Sequence, residues 1–306
     1  MQILALQILF GLLLMTGVLA LLIHFGFRAP RVVAHENPKN FGVEYRSHWI
    51  RTSKGKKLFA WFLPAADNAP VLIIVHGWGG NAGFMLPLAL PLHRAGMHVL
   101  LVEARNHGRS DKDTFPSLPR FAEDAGHAIA WVKTQVTNSN GKIVLLGHSV
   151  GAGAVLLEAS RRDDIAAVIS VSAFAHPAWM MQRYLQRPWI PHMARKAILR
   201  YVEWIIGHRF DEIAPLHAAC RITCPVLLVH GRDNQMVPVS DLQAIVDNCP
   251  DKTHIQVLLV EDAGHDSISE IDKHANKLVA FLRYAGVLEI KSDSKPSISG
   301  APSKRA

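Results

Sequence analysis

"KIVLLGHSVGAG", residues 142–153, carries four apolar residues into a glycine, then His148 and Ser149, then a run of small residues. The first half has the unbroken apolar character of a strand buried on both faces, and the second half reads as the start of a helix. Ser149 therefore falls on the turn between them. Gly147 and Gly151 flank it two residues to either side, completing G-x-S-x-G. In that strand-turn-helix setting the turn is so tight that Cβ atoms at the flanking positions would collide, and the serine hydroxyl stands exposed at a helix N-terminus. There the helix dipole and free N–H groups favour a developing negative charge. An isolated G-x-S-x-G is common by chance, so an ordinary turn serine is the competing reading and the surrounding chain has to decide.

Similar apolar runs recur along the chain: "VLIIVHG" (71–77), "HVLLVEA" (98–104), "AAVISVS" (166–172), "PVLLVHG" (225–231) and "IQVLLVE" (255–261). Helix-like segments separate them, at 87–95, 120–134, 151–161, 239–247 and 270–284. Short apolar strands alternating with amphipathic helices predict an α/β protein, a mostly parallel central sheet covered by helices on both faces. Ahead of them, "EYRSHWIRTSKGKKLFAWFLPA" alternates polar and apolar residues around a Gly-Lys-Lys turn, the pattern of a β-hairpin. One interval is too long for a single helix. Residues 174–210 are rich in Trp, Met, Tyr and Arg and read as two or three helices inserted above the sheet as a cap.

Ligand sites in such sheets lie at the carboxyl ends of the strands. A serine hydroxyl there needs a base, and the base needs an acid that holds it in the right tautomer. Asp233 in "LLVHGRDNQMVP" directly follows one late strand, and His265 in "LLVEDAGHDSI" directly follows the next. The three follow one another in the order Ser149, Asp233, His265, each at a strand end. Asp262 and Asp266 compete as the acid, but they share the loop of His265 and rank behind Asp233. A tetrahedral intermediate also needs an oxyanion hole, for which the backbone N–H of Val150 and that of Trp78, in the Gly-rich turn "VHGWGGNAG", are the candidates. His76 is expected to brace that turn.

These segments together resemble the α/β-hydrolase superfamily. "HGWGG", "EARNHGRSD", "GHSVG", "HGRDNQMVP" and "GHD" are similar, in order, to its signature segments over residues 60–285, with most likeness to the monoacylglycerol-lipase and serine-aminopeptidase-like hydrolases. The resemblance implies an α/β-hydrolase fold with a helical cap and a serine hydrolase that cleaves carboxylic esters through an acyl-enzyme, with Ser149, Asp233 and His265 as its triad. A peptidase, thioesterase or acyltransferase on the same triad, or a non-catalytic binding protein on the same fold, are the alternatives. Glu103 stands where the family's D-x-R-x-x-G-x-S has aspartate, a departure in a bracing segment, and Arg105, Asn106, His107 and Arg109 are read as structural. Neither a metal nor an organic cofactor is called for.

The first 27 residues contain no charged side chain and predict a single-pass membrane anchor. Residues 28–57 are strongly basic, which puts the following domain on the cytoplasmic side by the positive-inside rule. The predicted organisation is then an anchor (1–27), a basic juxtamembrane segment reaching the hairpin (28–57), a hydrolase core (58–173 and 211–287), the cap (174–210) and a Ser/Pro-rich disordered tail (288–306). Trp179, Met180, Met181, Tyr184, Trp189, Tyr201 and Trp204 give the cap an apolar surface beside Arg183, Arg187, Arg195, Lys196 and Arg200. With the anchor, this suggests a lipid ester as substrate and membrane lipid as a partner. The net charge of +8 has no Lys/Arg block interleaved with aromatics and no zinc-finger spacing behind it, so nucleic acid is not an expected partner. The three cysteines, Cys220, Cys224 and Cys249, are expected as free thiols.

Overall fold

The computed structural model describes residues 2–26, 28–186 and 190–289, apart from the side chains at 8, 12, 16, 19, 20 and 22–24. Among these residues eight strands form one sheet, β1 (Arg46–Arg51), β2 (Lys57–Leu63), β3 (Ala69–Val75), β4 (His98–Val102), β5 (Ser139–His148), β6 (Ala167–Val171), β7 (Val226–Gly231) and β8 (Ile255–Val260). Their order across the sheet is β1-β2-β4-β3-β5-β6-β7-β8. The expected hairpin is β1 and β2, antiparallel with Ile50 opposite Leu58, and β2 runs antiparallel to β4. Every later neighbour pair is parallel.

The helices are α1 (Gln2–Gly26), α2 (Leu86–Arg94), α3 (Leu118–Gln135), α4 (Val150–Ala159), α5 (Pro177–Leu185), α6 (His192–Ile206), α7 (Phe210–Ile213), α8 (Pro215–Ala218), α9 (Val239–Asn248), α10 (Ile268–Asp272) and α11 (Ala275–Tyr284). Side chains of each parallel strand alternate between two cores. Val71, Ile73 and Val75 face the core made with α3, α4 and α9, whereas Leu72 and Ile74 face the one made with α2, α10 and α11. This double burial is why the parallel strands read as unbroken apolar runs. The helix expected over 270–284 is broken in two, with Lys273 and His274 between α10 and α11.

The cap is α5 and α6, and it is tied down by charge. Arg183 of α5 forms an ion pair with Asp241 of α9, which is almost fully buried and also accepts the N–H of Ala175. The large apolar side chains divide between two roles: Met180, Met181 and Tyr201 pack on the core, while Trp179, Tyr184 and Trp204 are exposed. Arg187 and Trp189 lie outside the described residues, as does the expected tail from residue 290 onward.

Two expectations change. Cys220 and Cys249 are joined in a disulfide with Cα atoms 4.9 Å apart, and Cys224 alone is free. The spacing of 29 residues hid the pair, because the end of α8 and the end of α9 meet only in the folded chain. The expected anchor is represented by α1, but Met1, Phe27 and several side chains of that stretch lie outside the described residues. Among the described residues no helix is long and apolar enough to cross a membrane.

Candidate active site

Three parallel strands and the loops after them build the site. β5 ends at His148, and Ser149 follows with φ 55° and ψ −118°, a conformation costly for a residue with a side chain, before α4 begins at Val150. The strain is held by close packing. A Cβ on Gly147 would lie 2.2 Å from the Gly151 carbonyl oxygen, and one on Gly151 would lie 2.4 Å from that of His76. Only glycine fits at either place, which is the physical content of the G-x-S-x-G motif.

Ser149 Oγ lies 2.9 Å from Nε2 of His265, which the loop after β8 brings back across 116 residues of sequence. Beside it, His148 is buried, and its Nε2–H donates to the carbonyl oxygen of His265 at 2.9 Å, so its Nδ1 is left with an unpartnered lone pair. His148 thus fixes the His265 backbone and does not reach Ser149 as a base. Val150 is the first residue of α4, so its N–H has no partner within the helix. The Gly-rich turn after β3 presses against the same elbow, since a Cβ on Gly77 would lie 3.1 Å from Cβ of Ser149. This turn is braced from below, as expected for His76. Its Nε2 accepts the N–H of Ala104 at 3.0 Å, so its Nδ1–H donates to the carbonyl of Gly77 at 2.7 Å. Burial pushes its pKa down to about 3, in keeping with a neutral bracing ring.

Glu103 completes that scaffold. It is buried, and its carboxylate accepts the N–H of Ala82 and that of Arg109, linking the turn after β3 to the turn after β4. Arg105 is buried in ion pairs with Asp113, Glu123 and Asp124. Both contribute structure, as their segment suggested.

The structure does not bring Asp233 to the site. Its side chain is exposed, and among the described residues only its backbone is engaged, the N–H donating to the carbonyl of Ala263. Asn234 occupies the place beside His265, 3% exposed, with its amide nitrogen 3.1 Å from Nδ1 of the ring. The reason is local. The Oδ1 of Asn234 accepts the N–H of Val237 at 2.9 Å, and this side-chain turn directs residue 234 inward and residue 233 outward. The sequence carried that signal as an Asn three residues before Val-Pro, but a search for charge passes over it. Asp262 is exposed as well. Asp266 is exposed too, with its carboxylate within 4.8 Å of ring nitrogens of His148 and His265.

Those last three residues form the one grouping of potential metal ligands among the described residues. His265 already engages both ring nitrogens, and His148 one of its two. Only one nitrogen and one carboxylate remain, short of the three protein ligands that a catalytic zinc site holds. With no carboxylate among the described residues hydrogen-bonded to it, His265 is governed by burial, which pushes its pKa down to about 4, with the neighbouring His148 adding to the shift and Asp266 opposing it.

The site opens into a cleft of about 770 Å³, lined by Trp78, Leu118, Phe174, Met180, Ile213 and Met236 among others, with Gly26 at the end of α1 and Tyr184 and Ile206 of the cap on its walls. A family model described as serine aminopeptidase, S33, matches residues 66–218. The chain belongs to this hydrolase family. The S33 match takes in the Gly-rich turn, the bracing segment and the Ser149 elbow, and stops before Asn234 and His265. Among curated proteins, the chain is similar to an uncharacterized protein of Mycobacterium tuberculosis, at 26% identity over 73% of both chains. It is also similar to an uncharacterized membrane protein of Saccharomyces cerevisiae, at 26% identity over 70% of this chain and 72% of that one. Among solved structures an esterase of Pyrococcus furiosus superposes with a TM-score of 0.68 at 22% identity, covering 84% of this chain and 98% of the other. The S33 family hydrolase thus has the α/β-hydrolase fold.

Proposed function

We propose that the protein is a serine hydrolase that cleaves carboxylic esters with an apolar acyl chain, working at a membrane surface. The observation that carries the reading is the 2.9 Å pair of Ser149 and His265 on the wall of a largely apolar cleft of about 770 Å³. Ser149 Oγ attacks the ester carbonyl, its proton passes to His265, and the N–H groups of Val150 and Trp78 receive the oxyanion. Each such donor is worth about 3–4 kcal/mol to the transition state. His265 then gives the proton to the departing alkoxide, and water, activated by the same ring, releases the acid.

Several features favour a lipid-like acyl group. Among the described lining residues only Asp266 is a carboxylate, and the cleft rim carries exposed Val32, Trp78, Tyr184 and Met236. The end of α1 lies at the same rim through Gly26. α1 itself exposes Ile3, Leu4, Leu6 and Phe10 and has no charged side chain, so we take it as the membrane-associating element. The basic segment after it adds attraction to an anionic membrane surface. The description of the yeast relative as a membrane protein agrees with association. Amide cleavage is the second reading, favoured by the family's description, with Asp266 the group that would meet a free α-amino end. The test is a fluorophosphonate probe together with p-nitrophenyl esters of graded chain length and an aminoacyl anilide. Labelling lost in Ser149→Ala, with octanoate preferred over acetate, supports the ester reading. Labelling that persists in the variant sinks the nucleophile, and anilide cleavage outpacing every ester favours the peptidase.

A further inference from the structure

We propose that Asn234 is a positioning residue that holds His265 in the Nε2–H tautomer, so that the site rests in a restrained state which a carboxylate at position 234 would release. The inference rests on the serine-hydrolase reading for its consequence in rate, and on geometry alone for the tautomer.

Two contacts orient the amide. The backbone N–H of Val237 is a donor and lies 2.9 Å from one terminus of the Asn234 side chain, which must therefore be the oxygen. The other terminus, the NH₂, faces Nδ1 of His265 at 3.1 Å and can only donate. A buried Asn234 and a half-buried His265 have no water between them at this separation, so Nδ1 supplies the lone pair and the ring proton of the neutral imidazole is on Nε2. At 2.9 Å the Nε2–H then donates to Ser149 Oγ. This is the reverse of what attack requires. For Ser149 Oγ to bond to a carbonyl carbon, its proton must move to a lone pair on Nε2. In this tautomer that lone pair is on Nδ1, against Asn234, and the ring must exchange its proton before it can act.

No other group repairs this. Asp266 approaches the two histidine rings but hydrogen-bonds to neither among the described residues, and Asp233 points to solvent. The groups that face the ring are His148 from the end of β5, His230 from β7 and Asp266 from its own loop, and burial outweighs them in keeping it neutral. A carboxylate at 234 changes both neighbours for the better. It accepts the Val237 N–H as the amide does, and it accepts Nδ1–H, leaving the Nε2 lone pair for the Ser149 proton and stabilising the imidazolium until the proton goes to the leaving alkoxide.

The test uses the full-length protein in detergent micelles as wild type, Asn234→Asp and Asn234→Ala. Selectively ¹⁵N-histidine-labelled wild type is expected to show a protonated Nε2 and an unprotonated Nδ1 for His265. Asn234→Asp is expected to raise fluorophosphonate labelling of Ser149 and kcat/KM for p-nitrophenyl butyrate by up to about 10⁴-fold, the factor lost when a triad aspartate is made asparagine elsewhere. It should also move the acid limb of the pH–rate profile upward, from about 4 toward neutrality, because the ionised partner favours the charged ring. Asn234→Ala removes the donor to Nδ1, so its His265 is expected to show a mixture of the two tautomers, without the upward move of the acid limb, which needs a carboxylate. An Nδ1–H tautomer in wild type overturns the proposal whatever the rates, and so does an Asn234→Asp protein of unchanged melting temperature with no gain in rate and an unmoved limb. If neither protein turns over or is labelled while the Nε2–H tautomer is seen, the positioning role stands and the hydrolase reading is the one that fails.

Discussion

Ser149 and His265 meet at 2.9 Å because β5 and β8, three strands apart in the sheet, both release their loops at the same edge. Removing either partner leaves that edge intact and takes away the reacting pair. Ser149→Ala is expected to fold, to abolish fluorophosphonate labelling and to lower ester turnover to background. His265→Ala should lower turnover to within about tenfold of the same level, since residues that act as a unit are not additive. Labelling rates and melting temperatures measured side by side separate loss of chemistry from loss of fold.

The acid position gives a second comparison that needs no gain of function. Asp233 is exposed and contributes only its backbone, so Asp233→Asn is expected to leave kcat/KM within about twofold and the melting temperature unchanged, the usual result for an exposed side chain. Asp266→Asn removes the one anion that raises the affinity of His265 for a proton, and should move the acid limb of the rate profile lower still. A large loss of turnover in Asp233→Asn alone would return that residue to the role its position in the sequence suggested.

Most of the architecture was legible because its physics is local. The β3 and β5 runs are apolar without interruption since both faces are covered, and β1 of the hairpin alternates since one of its faces is not, whereas β2 is buried on both faces from Leu58 onward. The glycines about Ser149 could be read because the collision they avoid belongs to the turn itself. What could not be read depended on which of two neighbours turns inward. Asp233 and Asn234 are adjacent, and the choice between them is made by one hydrogen bond to Val237. The pairing of Cys220 with Cys249 likewise depended on where the ends of α8 and α9 come to rest. The division of the cap aromatics between core and solvent was a matter of packing and not of composition.

The disulfide makes its own claim about compartment. A bond closing 29 residues contributes about 3–4 kcal/mol through the restricted unfolded chain. It persists on an oxidising side of a membrane, the opposite of the side that the basic flank of α1 predicts. Alkylation of intact protein before any reduction is expected to modify Cys224 alone, slowly, because burial pushes its thiol up to about 11. Modification of all three cysteines in rapidly quenched cells would show the domain held in a reducing compartment and the bond unformed there.

Stability should follow the buried histidines. Burial lowers the pKa of His76, His107, His148, His230 and His265 below the ordinary value of 6.5. An unfolded chain takes up protons at these positions as pH falls through 6.5, while the folded chain does not until lower pH, so acid favours unfolding. Each unit of separation is worth about 1.4 kcal/mol per group. Thermal melts are expected to be level above pH 7 and to fall steadily between pH 6.5 and 4. Asp124, which burial pushes up to about 7, and Glu103 and Glu158, raised likewise, take up protons in the fold first and offset part of this loss; a melting temperature that holds to pH 4.5 would mean that they offset it in full.

The cleft supplies the remaining prediction. Each CH₂ moved from water to an apolar wall gains about 0.8 kcal/mol, roughly fourfold in binding, until the wall ends. A cleft of about 770 Å³ lined by Leu118, Phe174 and Met180 has room for a chain of eight carbons, so kcat/KM for p-nitrophenyl esters should climb at least about 100-fold from acetate to octanoate. Ile206 is half-buried on the cap wall of the same cleft. Ile206→Trp narrows it there, and is expected to lower turnover of octanoate about tenfold or more while leaving acetate nearly unchanged, because acetate does not reach that wall. Deleting residues 1–26 should leave turnover of soluble acetate near its full value but reduce hydrolysis of the same acyl chain presented in anionic vesicles, since the helix whose end borders the cleft would no longer hold the opening at the lipid surface. Equal loss on soluble and vesicle substrates would instead make α1 a part of the fold.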